Sequence, residues 1–154
     1  MTTTNLAIPS GTFATRRDVG LLLIRAALAG PFLYHGAQKL FGWFGGSGPS
    51  GFAAYLEGLH IPLPLLSAVL AGASEFLGGV LLLSGRGWPA LVPLVFTMAV
   101  AILASAGRGY DVQHGGVEYP LALFLLLVAV SLLGAGSLRA PLPGAPRANT
   151  EGES

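Results

Sequence analysis

Residues 64–84 read PLLSAVLAGASEFLGGVLLLS, an apolar run of about 20 residues with one ionisable side chain, Glu75, near its middle. A helix rises about 1.5 Å per residue, so a run of this length can cross a hydrocarbon core of about 30 Å. Three more such runs surround it, at about 19–41, 89–106 and 118–133. Proline stands in the first turn of spans two, three and four, as Pro64, Pro89 and Pro120. There its missing N–H removes no helical hydrogen bond. The pattern predicts an all-α fold, a four-helix transmembrane bundle.

Composition agrees with a lipid solvent. Of 154 residues 53% are hydrophobic and 10% charged, with a mean hydropathy of +0.69. A soluble domain carries about 25% charged residues. A net charge of +1 gives no reason to expect nucleic acid or a strongly acidic partner. The chain has no cysteine, which excludes thiol–disulfide exchange and Fe–S ligation by its own thiolates.

The sequence divides into a flexible tail at 1–17, a membrane domain at 18–136 and a disordered Pro/Gly/Ala-rich tail at 137–154. Arg16-Arg17 before an apolar run has the look of a signal peptide, but Arg25 interrupts the run and three further spans follow. Between spans one and two, at about 51–60, Phe52, Tyr55, Leu56 and Leu59 share one helical face. With Trp43 and Phe44 nearby, this segment is expected in the headgroup region. Arg16, Arg17, Arg86, Arg139 and Arg147 fall on one side, Lys39 and Arg108 on the other, so both termini are expected to be cytoplasmic. No internal repeat is convincing.

A charge at the bilayer centre costs at least about 2.5–3.5 kcal/mol, so it must be paired, solvated or functional. Glu75, mid-span and beyond snorkelling reach, is the clearest case. Arg25, His35 and Lys39 fall within an arc of roughly 80° on span one, which should face the bundle interior. Arg25 and Glu75 differ in expected depth by about one turn, so a buried pair between them is feasible. Arg25 and Lys39 could instead snorkel to opposite headgroup layers, and His35 could bond a carbonyl freed by Pro31. The outer loop brings Tyr110, Asp111, His114, Glu118 and Tyr119 towards the same mouth. As the plainer reading, they form a hydrated loop and an acidic helix start. The candidate polar site is therefore Arg25, His35, Lys39, Glu75, His114 and Glu118.

His35, His60 and His114 are widely spaced and form no metal motif, so no metal is assigned. Gly45-Gly46-Ser47-Gly48 follows no strand and is no phosphate cradle. Ala26 and Gly30, Ala68 and Gly72, and Gly78-Gly79 have the spacing of close helix contacts.

The stretch Phe32-Leu33-Tyr34-His35-Gly36-Ala37-Gln38-Lys39-Leu40-Phe41-Gly42 resembles the DoxX family of small membrane proteins. Arg25, Gly51-Phe52 to Pro62, Glu75 with Gly78-Gly79, and Gly115-Gly116-Val117-Glu118-Tyr119-Pro120-Leu121 extend the likeness over about 19–136. The resemblance implies a four-helix membrane fold in the bacterial inner membrane and a role in respiratory or oxidative-stress redox chemistry, with relatives linked to quinones. Two readings follow. In one, His35, Lys39, Glu75 and Glu118 bind or protonate a quinone head group. The chain has no evident electron carrier and would be at most a non-autonomous subunit of an oxidoreductase, working with other redox proteins or as a homo-oligomer. In the other, it is a non-enzymatic membrane scaffold that docks a partner. A small transporter fits less well, since no inverted repeat is visible.

Overall fold

The computed structural model describes residues 15–86, 88–134 and 136–139. Helix α1 spans Arg16–Phe41, α2 Gly48–Gly58, α3 Pro64–Ser84, α4 Trp88–Ser105 and α5 Glu118–Leu133. No strand occurs among the described residues. Three helices, α1, α3 and α4, are long and apolar enough to cross a membrane. The fourth run is a 16-residue apolar helix, α5, shorter than the other three. Residues 1–14 and 140–154, which hold most of both expected tails and Arg147, lie outside the described residues.

Each helix end has a local cause. α1 begins at a reciprocal cap: the Thr15 hydroxyl accepts from the Asp18 amide at 3.2 Å, and the Asp18 carboxylate accepts from the Thr15 amide at 3.1 Å. Pro31 lies inside α1 without ending it, and the helix stops at Gly42, whose φ of 68° favours a residue without a side chain. Gly85 ends α3 in the same way.

α1 packs along α3, α4 bridges α3 and α5, and α5 returns beside α1. The apolar core holds Leu28 and Phe32 of α1, Leu82 of α3, Leu94 of α4 and Leu127 of α5, all essentially inaccessible. α2 lies against α3 and α1. The first residues expected to be a loose tail are held at the start of α1. The Ser137 amide donates to Asp18 at 2.7 Å, and the Leu138 carbonyl accepts from Arg25 at 2.5 Å.

Glycine sets the register of α1 against α3. A Cβ on Gly36 would stand 2.5 Å from the amide nitrogen of Phe76, closer than real Cβ atoms come. One on Gly72 would meet the Lys39 Cβ at 3.1 Å, and one on Gly79 the Leu33 amide nitrogen at 3.1 Å. The spacing that predicts contacts at Gly72 and Gly78-Gly79 is realised. Ala26 and Gly30 are a correction: both are exposed, and nothing lies within 4 Å of a Cβ on Gly30. Gly36, inside the FLYHGAQKLFG stretch, makes the close approach instead.

Candidate functional site

In this register Glu75 lies level with Ala37 of α1. Lys39 is then about 3 Å away along the helix axis and Arg25 about 18 Å away. The outcome is a Lys39–Glu75 ion pair, with Nζ donating to Oε1 at 2.5 Å and to Oε2 at 2.6 Å. Depths counted separately from each span's start misjudge this, because the relative sliding of two helices is set by their contact surfaces. Arg25 is buried at the opposite end of the bundle, beside Gly85 and the Leu138 carbonyl. Lys39 turns inward rather than snorkelling outward, and its Nζ also stands 5.0 Å from the centre of the Phe52 ring.

The Glu75 side chain is 3% exposed and that of Lys39 22%. Burying two charges removes several kcal/mol of hydration from each, which only close, well-satisfied geometry offsets. Both carboxylate oxygens face the ammonium. Each still has accepting capacity, and the ammonium keeps a further proton to donate. The pair is neutral as a whole yet rich in unused donors and acceptors.

Two cavities meet at this pair. One, of about 660 Å³, lies between α2, α3 and α4; its walls include Phe52, Tyr55, Leu59, Leu70, Phe96 and Val100. Those walls carry the face of α2 that the Phe52, Tyr55, Leu56, Leu59 spacing marks. Phe96 and Leu70 are more than half exposed on the outer surface, so this groove opens sideways. Its other polar groups are hydroxyls: Tyr55, Ser67, Ser105 (shared with the second cavity) and a Ser74–Thr97 contact of 3.2 Å, with the Thr97 hydroxyl donating to the Pro93 carbonyl at 2.8 Å. At its rim Arg108 donates to the Tyr55 hydroxyl at 3.1 Å.

The second cavity, of about 240 Å³, lies between α1, α3, α4 and α5 and holds His35, Ser105 and Tyr119 beside the ion pair. His35 Nδ1 meets Gln38 Oε1 at 3.0 Å, a side-chain partner rather than a carbonyl freed by Pro31. The Gln38 amide nitrogen faces the Phe44 carbonyl at 3.4 Å, which orients its oxygen towards His35 and makes Nδ1 the donor.

The six residues singled out by sequence thus separate. His35, Lys39 and Glu75 share the second cavity. His114 bonds Asp111 at 2.7 Å in the exposed loop, and Glu118 accepts from the Val112 amide at 3.1 Å. Both close the turn before α5 and line neither cavity. Gln38 and Ser105 are not among the residues the sequence points to, and Tyr119, expected near the mouth with the outer loop, is not among the six. Gln38 is three residues after His35, a spacing that places them on neighbouring turns. Ser105 carries no such local signal, and the loop position of Tyr119 does not show that it enters the cavity, since both depend on how α4 and α5 pack. Among the described residues no group of three or more His, Asp or Glu gathers as a metal site.

The DoxX family model matches residues 20–107, from α1 through α4 and including both partners of the ion pair. The match ends before α5, so the likeness of residues 115–121 rests on the sequence alone. No curated protein and no solved structure matches the chain. With more than half of its length matched, including the helices that build the buried pair, the chain belongs to the DoxX family, and its apolar helices make it an integral membrane protein.

Proposed function

We propose that this protein is the quinone-facing, non-autonomous subunit of a redox complex in the bacterial inner membrane. In this reading α1, α3, α4 and α5 all span the bilayer, with both termini cytoplasmic. α5 crosses with about 24 Å of helix, a shortfall that local thinning of the bilayer accommodates. The observation that carries the reading is the neutral Lys39–Glu75 pair at the end of a 660 Å³ apolar groove open to the side. Such a site suits a molecule with a long apolar tail and an uncharged head that both accepts and donates hydrogen bonds. An anionic head would meet the Glu75 carboxylate. A quinone carbonyl can accept from Lys39, and a quinol hydroxyl can donate to Glu75.

The chain has no cysteine and no nucleotide-binding motif, so the electrons come from a partner redox protein. Reduction of a bound quinone takes two electrons from that partner and two protons, and yields the quinol.

Ubiquinone and menaquinone titrations of the purified protein in nanodiscs test the reading. The wild type should bind at least one of them, and Glu75→Gln should weaken that binding about tenfold, or ~1.4 kcal/mol. Quinone binding by neither protein would sink the idea.

A further inference from the structure

The quinone-facing groove raises the question of where the protons come from. Its walls are apolar and it opens sideways, towards lipid in a membrane-spanning chain. Hydrocarbon supplies no protons, and apart from the shared ion pair the groove's polar lining is hydroxyls alone, whereas the other side of the Lys39–Glu75 pair adds an imidazole.

That side is the 240 Å³ cavity. It lies where the second half of α1, the last turn of α4 and the first turn of α5 converge, next to the exposed loop residues 106–115. Liquid water takes about 30 Å³ per molecule and enters a cavity only if two or more polar partners await it. This space has room for several molecules and offers Lys39, Glu75, His35, Ser105 and Tyr119 as partners. Its titratable groups are His35 and Lys39 from α1, Glu75 from α3 and Tyr119 from α5; α4 adds Ser105 but no titratable group. His35 donates through Nδ1 to Gln38, which leaves Nε2 to accept. A histidine used from both sides can take a proton at one nitrogen and release one at the other. Tyr119 is 38% exposed and reaches from the cavity to the surface.

We propose that the 240 Å³ cavity is a water-filled chamber through which protons pass between the aqueous face at the 106–117 loop and the Lys39–Glu75 pair. The chamber rests on the quinone reading for its purpose, but its hydration is independent of any ligand.

Because the chain has no cysteine, each introduced one is a unique thiol. Met98 and Leu123 line the chamber and not the groove, and are 6% and 7% exposed. All three belong to the apolar core, but Leu28, at 0%, lines neither cavity. In nanodiscs, Met98→Cys and Leu123→Cys should react with a small charged methanethiosulfonate at least tenfold faster than Leu28→Cys. Equal rates would overturn the chamber, whether or not quinone binds. If those thiols react while no quinone binds, the chamber stands and the quinone reading falls.

The proton role is read separately. Leu123→Phe and Met98→Phe each reduce the water space without touching the groove. Either should leave quinone affinity within about twofold while slowing dithionite reduction of bound quinone about tenfold. Unchanged reduction in both variants would overturn the route.

Discussion

Gly36→Leu should leave little folded protein to purify, and Gly36→Ala should already lower stability by about 3 kcal/mol or more. Even one added carbon would stand 2.5 Å from the Phe76 amide nitrogen, and what it meets is helix backbone. A flexible side chain could swing aside. Here α1 and α3 have to separate along their whole contact, which also pulls Lys39 from Glu75. Close approach through small residues is a main source of helix association in lipid, where the hydrophobic effect contributes little. Gly30→Ala is the internal control. Nothing lies within 4 Å of its added carbon, and alanine favours helix by up to about 1 kcal/mol. Thermal unfolding of both variants in one detergent gives the comparison. Equal melting temperatures for the two alanine variants would refute the close contact.

The second large effect concerns the buried pair, and it is asymmetric. Lys39→Ala strands a carboxylate that is 3% exposed, and should cost about 3–5 kcal/mol. Glu75→Gln leaves an ammonium that is 22% exposed on a long, flexible stem, so the cost should be less than half as large. The double replacement Lys39→Met with Glu75→Leu removes both desolvated charges and should restore most of the stability, since apolar substitutes for buried ion pairs are often neutral or better. A double-mutant cycle closed with the matching single variants, Lys39→Met and Glu75→Leu, measures this directly on unfolding free energies. A double variant as unstable as the sum of the two single ones would show that the charges do not depend on each other. Quinone binding should stay lost in the double variant even as stability returns, which separates what the pair does for the fold from what it does for a ligand.

Much of this molecule is legible without coordinates because membrane solvent is a severe selector. A run of about 20 apolar residues has few options in lipid other than helix, since every backbone N–H and C=O must be satisfied within the segment. The α2 face at Phe52, Tyr55, Leu56 and Leu59 is legible for a related reason: helical periodicity is local. The inward arc of Arg25, His35 and Lys39 follows from the same 100° step, and all three point away from lipid.

Pairing is another matter. Arg25 and Glu75 look compatible when each is measured from the start of its own span. The actual offset is set by Gly36 against Phe76 and Gly72 against Lys39 and Leu40, contacts between residues 32 to 40 positions apart. His114 and Glu118 look like members of the mouth because they are polar and near it in sequence. They are consumed by the turn, bonded to Asp111 and to the Val112 amide.

By itself, then, the sequence determined a membrane-embedded helical protein of the DoxX family, its long apolar helices, and the rule that Glu75 could not stand alone. Only the tertiary structure decided that its partner is Lys39 and that a groove and a second, smaller cavity meet at the pair. The reason is physical: solvent and periodicity act on each segment separately, whereas register is a property of two surfaces that fit at one offset.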